Sequence, residues 1–147
     1  MFHILVVEDD RALRELFCTV LSKNGFVYHE ARDGVEAWDV LEKQYIDLVV
    51  TDIMMPNMNG FEFIKSLRQN ALNMPVLIIT AKDNFEDMQS GFLAGTDDYM
   101  VKPVNVNEMI LRINALLKRA QIVNEKKIRF ENAELRYDDL TVCIAGD

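Results

Sequence analysis

Five side chains of this 147-residue sequence could share one piece of chemistry: Glu8, Asp9, Asp52, Thr80 and Lys102. Each stands at or just past the end of an apolar run. Glu8 and Asp9 follow Phe2 to Val7, Asp52 follows Ile46 to Thr51, Thr80 closes Pro75 to Thr80, and Lys102 follows Asp98 to Val101. Carboxylates gathered in one crevice repel; at roughly 5 Å and an effective dielectric near 20, each pair costs about 3 kcal/mol. Such a cluster needs a cation, and all-oxygen ligation selects a hard one, Mg²⁺ first. A hydroxyl and an ammonium added to it make a site for a phosphoryl group, with nucleophile, metal, hydrogen-bond donor and positive clamp. Each residue also has an ordinary reading. Asp52 leads toward Pro56 and suits a turn. Glu8-Asp9-Asp10 suits a solvated acidic helix start, with Asp10 as N-cap. Thr80 can simply finish a strand, and Lys102 can be a snorkelling surface lysine.

The elements that carry these residues decide between the readings. The apolar runs are short and rich in β-branched residues, as in strands buried on both faces of a parallel sheet. Between them the period changes. Leu13, Leu16, Phe17, Val20 and Leu21 share one helical stripe that Asn24-Gly25 ends. Phe26 to Ala31 reads as the second strand. Asp33-Gly34-Val35-Glu36, Asp83-Asn84-Phe85-Glu86 and Asn105-Val106-Asn107-Glu108 read as capping boxes opening the second, fourth and fifth helices. Asn57 to Gly60 is a loop, and Phe61, Ile64 and Leu67 mark the third helix. Gly95 is the expected cap of the fourth helix, and the fifth ends near Ala120. Five strand–helix alternations imply an α/β fold, a doubly wound five-stranded parallel sheet. Right-handed crossovers favour the flavodoxin-like order 2-1-3-4-5. In that order strands one and three are neighbours, so their terminal acids converge.

Beyond the fifth helix the pattern shifts. Residues 121–127 are polar and read as a linker. Ile128 to Phe130, Glu134 to Tyr137 and Thr141 to Ile144 are short strand candidates, a β-rich C-terminal fragment over 128–147 that cannot bury a core by itself. The expectation is a first domain over 1–120 and the start of a second. Half the residues are hydrophobic, enough for a core, and formal net charge is −8, which argues against a general nucleic-acid-binding surface. No apolar run approaches the roughly 20 residues of a membrane span. Cys18 and Cys143 form no metal spacing, and a reduced cytoplasmic setting fits them.

Residues 1–120 resemble the receiver domain of a two-component response regulator (the CheY-like fold). The motifs Val6-Val7-Glu8-Asp9-Asp10, Asp52-Ile53-Met54-Met55-Pro56, Thr80-Ala81-Lys82 and Lys102-Pro103 match that pattern in order and spacing. The resemblance implies that Asp52 is the phosphoacceptor for a phosphohistidine on a sensor histidine kinase. It implies that Asp9, Asp52 and the backbone carbonyl of Met54 ligate Mg²⁺, with Glu8 acting through water. Thr80 and Lys102 would bind phosphoryl oxygens, and Tyr99 would be the aromatic switch that turns inward when Thr80 moves. Met54 and Lys82 flank the site where family members tune hydrolysis. The segment Gly95 to Tyr99, with Arg112 and Arg119, is similar to the OmpR/PhoB subfamily. So is the tail, which resembles the opening strands of its winged-helix DNA-binding domain. DNA would be bound only through the part of that domain beyond Asp147.

That subfamily dimerises on phosphorylation through its fourth helix, fifth strand and fifth helix. The corresponding residues here are Phe92, Asp97, Asp98, Glu108, Ile110, Arg112 and Arg119. The basic residue expected at Met88 and the acid expected at Ala94 are missing, so Glu108 and Arg112 lack their usual cross-subunit partners, which leaves Asp98 with Arg119 as the expected pair across the interface and Phe92 and Ile110 as apolar contacts. Two other readings stay open: a receiver whose output is protein contact without DNA, and a Mg²⁺-dependent phosphatase with an aspartyl nucleophile. The latter needs a second acid two residues after the nucleophile, where this chain has Met54.

Overall fold

A computed structural model describes the backbone of residues 1–138 and the side chains of residues 1–123. Five strands alternate with five helices: β1 (His3–Val7), α1 (Arg11–Lys23), β2 (Val27–Ala31), α2 (Gly34–Lys43), β3 (Leu48–Thr51), α3 (Gly60–Gln69), β4 (Val76–Thr80), α4 (Phe85–Ala94), β5 (Asp98–Val101) and α5 (Val106–Asp138). The strands form one parallel sheet in the order β2-β1-β3-β4-β5, as the alternation predicts. Val7 pairs with Thr51, and Ile78 with both Thr51 and Tyr99, so β1, β3, β4 and β5 finish near one level. That register brings the strand-end groups to a common edge.

Alternate side chains on each strand point to opposite faces. Ile4, Val6, Val50, Leu77, Ile79 and Met100 pack under α1 and α5, against Phe17, Leu21, Ile113 and Leu116. Leu5, Val7, Val49, Ile78 and Tyr99 pack under α2, α3 and α4, against Ala37, Phe63, Leu67 and Ala94. The central strands carry apolar residues at almost every position because both of their faces are dry.

The helix starts are set by side chains that satisfy orphan backbone N–H groups. Asp10 caps α1 by accepting from Leu13 N at 3.1 Å, as expected. Asp33 caps α2 through Glu36 N, while Glu36 reaches back to Arg32 N, one residue earlier than the box anticipates. On α4 the cap is Asn84, not Asp83: its Oδ1 accepts from Asp87 N at 2.8 Å. Asn105 caps α5, yet the Glu108 carboxylate turns to Arg112 instead of reaching back. Gly95 ends α4 with φ +116°, the left-handed cap expected of it.

The C-terminal segment departs from the expectation. The linker over 121–127 and the strands over 128–130 and 134–137 are helical, continuing α5 to Asp138. A strand needs a neighbour for its backbone groups, and no unpaired sheet edge receives this one among the described residues. A helix satisfies those groups within itself, and Glu125, Lys126, Lys127, Glu131, Ala133, Glu134 and Leu135 are good helix formers. The strand expected over Thr141 to Ile144 lies outside the described residues.

Candidate functional site

The site is built at the carboxyl edge of the central strands. Asp52 directly follows β3, and its N–H donates to the Val7 carbonyl at 3.1 Å, which extends the β1–β3 ladder one residue past the strand. Glu8 follows β1, and its N–H donates to the Ala31 carbonyl at 3.0 Å. Both acids are nearly sealed from solvent: Glu8 is 2% exposed and Asp52 5%. Lys102 follows β5, held by its N–H to the Thr80 carbonyl at 2.8 Å and by a cis bond to Pro103. Its ammonium lies 2.8 Å from Glu8 Oε1 and 2.7 Å from Asp52 Oδ2. The second oxygens are also engaged, Glu8 Oε2 by Asp10 N and Asp52 Oδ1 by Met54 N.

The ordinary readings of Glu8, Asp52 and Lys102 are thereby displaced. These are not a solvated turn and a surface lysine but a buried acid pair bridged by one ammonium. Burial pushes the Glu8 carboxyl up, Lys102 and the Asp10 N–H pull it back, and repulsion from Asp52 is the smallest contribution. Desolvation is thus the largest of these influences, with repulsion between the acids acting in the same direction. Burial also opposes the charge on Lys102, but its bonds to Asp52 and Glu8 outweigh that and hold it above the ordinary lysine value.

Asp9 stands apart, exposed at the mouth. Glu8, Asp9 and Asp52 offer the carboxylate oxygens that hard divalent cations take, so the donor chemistry fits. Among the described residues no three acidic, cysteine or histidine side chains already converge as a metal cluster. Lys102 stands between Glu8 and Asp52 instead. The Met54 side chain is exposed beside the acids.

Thr80 is fully buried at the end of β4, and its Oγ1 accepts from Lys82 N at 3.4 Å. Tyr99 points inward. Its hydroxyl donates to the Lys82 carbonyl at 2.8 Å, and burial, reinforced by Asp87, Asp52 and Asp83, pushes the phenol up to about 12. Thr80 and Tyr99 thus share Lys82 as a neighbour.

The α4–β5–α5 face differs from the expectation. Within the subunit Asp98 pairs with Arg112, at 3.0 and 2.9 Å. Asp97 accepts from Val76 N and from Arg68. Ile110 is 8% exposed and belongs to the core, and Ala94 is likewise buried. The outward apolar residues are Phe92, Leu93 and Leu111, with Leu93 80% exposed. Met88 lies half-buried against the α2–α3–α4 core.

Several supporting residues escaped the motif reading. Arg14 is buried beneath the β1–α1 turn, with Nη1 donating to the Glu8 carbonyl at 2.8 Å. Gly60 presses its bare Cα against the peptide after Asp52. Gly91 does the same to the Tyr99 ring, and Asn57 (φ +70°) donates to Asp33 at 2.9 Å. Arg14 was one more charge on an amphipathic helix, Gly91 carried no turn or cap signal, and Gly60, expected to close a loop, is the first residue of α3. A cavity of about 870 Å³, lined by Phe2, Tyr45, Met74 and Leu116 among others, opens at the opposite edge of the sheet. It takes no part in this chemistry.

A doubly wound sheet that gathers its acids, a hydroxyl and a lysine along one edge is the build of a phosphoacceptor receiver, and the chain belongs to that family. Residues 4–114 match the response regulator receiver domain. Over 140 residues the chain is 40% identical to the response regulator MprA of Mycobacterium bovis (strain BCG / Pasteur 1173P2) and 39% identical to MprA of Mycobacterium avium (strain 104). These alignments take in 95% of this chain but 59% and 60% of those proteins, so the chain spans about three fifths of their length. Among solved structures, the receiver domain of the Francisella response regulator 1452 is 36% identical, with a TM-score of 0.78, covering 82% of this chain and 99% of that one. Vibrio cholerae CheY4 is 30% identical, with a TM-score of 0.75, covering 79% and 98%. Among the described residues no helix is long and apolar enough to cross a membrane.

Proposed function

We propose that Asp52 accepts a phosphoryl group from a phosphohistidine of a sensor histidine kinase. An Asp52 oxygen attacks phosphorus, the P–N bond breaks, and imidazole leaves with the electron pair. The observation that carries this is the state of Asp52: a carboxylate 5% exposed, held from two sides by the Lys102 ammonium and the Met54 N–H. Such fixed donors, already aimed at the reacting group, need no reorganisation as charge develops. Lys102 would turn from the carboxylates to a phosphoryl oxygen, and the Thr80 hydroxyl would donate to another. Mg²⁺ would be held by Asp9, Asp52 and the Met54 carbonyl, with Glu8 acting through water, and would neutralise phosphoryl charge. On this reading the chain is a phosphoacceptor that assists its own modification, not an enzyme acting on outside substrates.

We further infer that the phosphorylated form shifts Thr80 and Tyr99 and re-presents the α4–β5–α5 face, favouring a homodimer. Phe92, Leu93 and Leu111 give that face its apolar content. Asp98, Glu108 and Arg112, which pair within the subunit here, would supply ion pairs by exchange, with Asp97 and Arg119 at the margin. The receiver domain would span about 1–120, and the helical continuation of α5 to Asp138 would lead on to a winged-helix DNA-binding domain of the OmpR/PhoB type. The alignment to longer regulators supports this, since it runs past residue 114, where the receiver match stops. The protein would act in the cytoplasm on transcription. The decisive test is Asp52→Asn, incubated with a small acyl phosphate and Mg²⁺. The expected result is no incorporated phosphate; incorporation at the wild-type level would exclude Asp52 as acceptor.

A further inference from the structure

Arg14 is among the most buried charged residues of the chain, 8% exposed, and it makes two bonds of different kinds. Nε donates to Glu30 Oε1 on β2 at 2.9 Å, and Nη1 donates to the backbone carbonyl of Glu8 at 2.8 Å. The Glu8 residue is therefore held at both ends, its N–H by the Ala31 carbonyl and its C=O by Arg14. That carbonyl belongs to the peptide joining Glu8 to Asp9, and the orientation of a planar peptide sets where the next residue begins. Asp9 has no side-chain hydrogen bond of its own among the described residues. Its placement depends on its backbone, and Arg14 holds the peptide that precedes it.

We propose that Arg14 is a positioning residue for the cation site, holding the Glu8–Asp9 peptide from which the Asp9 carboxylate would reach a cation shared with Asp52. This rests on the reading of Asp9 as a cation ligand. A guanidinium suits the task because its rigid fork can serve Glu30 and the carbonyl together; a lysine ammonium on its flexible stem offers no such fork. The Glu30 carboxylate is half-exposed, so the clamp is anchored at the surface and works in the interior.

The test uses the full chain and Mg²⁺ alone as the probe. Binding is followed by the amide NMR shifts of Asp9 and Asp10, without a phosphodonor. Arg14→Met is expected to weaken Mg²⁺ at least tenfold. With an acyl phosphate added, the Mg²⁺ concentration for half-maximal uptake should rise by the same factor, while the rate at saturating Mg²⁺ stays within twofold. Arg14→Lys should recover part of the affinity. Glu30→Ala, which removes the anchor but not the carbonyl bond, should lower thermal stability and shift Mg²⁺ affinity less than threefold. If Arg14→Met folds poorly, Arg14→Lys carries the test, with an expected loss of threefold or more. Unchanged Mg²⁺ affinity in the folded Arg14 variants, with only stability reduced, overturns the proposal and leaves Arg14 a packing residue. Failure of the wild-type chain to bind Mg²⁺ would instead overturn the underlying reading of the acids.

Discussion

Gly60→Ala tests how closely the acceptor is tied to its scaffold. Gly60 is the first residue of α3, its N–H donating to the Ile53 carbonyl at 3.0 Å. A Cβ there would lie 2.5 Å from the Asp52 carbonyl oxygen and 2.5 Å from Ile53 Cα, where ordinary contact begins at 3.4 Å. The difference, 3.4 − 2.5, is about 0.9 Å, and both atoms are backbone beside the acceptor. Either α3 backs away, loosening Phe63, Ile64 and Leu67 in the core, or the Asp52 peptide moves. Overpacking of this kind costs about 1–3 kcal/mol. Helix propensity alone predicts the opposite sign, since alanine is favoured over glycine by up to about 1 kcal/mol. We expect a net loss of about 1–2 kcal/mol in urea unfolding. Because a misplacement of about 1 Å can cost on the order of 100-fold in a positioned reaction, phosphoryl uptake from an acyl phosphate should fall between about 10- and 100-fold. A variant as stable as wild type that takes up phosphate normally would show that the loop absorbs the methyl and that the close approach is incidental.

Two other substitutions probe the ammonium bridge and the tyrosine seat. Lys102→Met leaves Glu8 and Asp52 buried without their cation, and should cost about 3 kcal/mol near neutral pH, the low end of the range for stripping a buried pair because Lys102 is 22% exposed. Glu8 already sits above its ordinary value of 4.5 in the fold, and losing Lys102 removes influences that lower it. The folded state then keeps a proton that the unfolded state releases, so stability falls as pH rises from about 4.5 through the folded value. Urea midpoints should show a larger deficit at pH 7.5 than at pH 5, and equal deficits would contradict the bridge. Gly91→Ala places a Cβ 3.0 Å from Ile78 Cδ1 and 3.3 Å from the Tyr99 ring. The usual helix gain of about 1 kcal/mol should vanish and the Tyr99 ring resonances should shift; a full gain with unmoved resonances would refute the seat.

Much of this architecture could be read from period and punctuation. Apolar runs ending in Asp52, Thr80 and Glu8 marked strands, and the crossover rule ordered them, because those signals are local or chiral. What escaped depends on distance. Nothing in a glycine at position 60 or 91 reveals that a peptide or a ring lies against it. The bond from Arg112 to Asp98 within the subunit follows from the turn of α5, which the residue types do not reveal. Position 94 was counted as surface because the helix frame was not in hand; one residue of rotation separates the buried Ala94 from the exposed Leu93. The segment after Ala120 shows the competition most plainly, since short alternating stretches with helix-forming residues can take either form, and the presence of a pairing strand chooses.

Neighbouring residues on β5 also have a consequence for how a change at the edge of the sheet travels. Tyr99 and Met100 face opposite layers, the first toward α2, α3 and α4, the second toward α1 and α5. A displacement of Tyr99 presses on Gly91 and Ile78, both on the α4 side. Met100, packed with Ile110 and Ile113, is shielded from it by the thickness of the sheet. The two layers therefore stand differently to Tyr99: it packs within one and is separated from the other by the sheet. A displacement of the Tyr99 ring would meet α4 first, at Gly91.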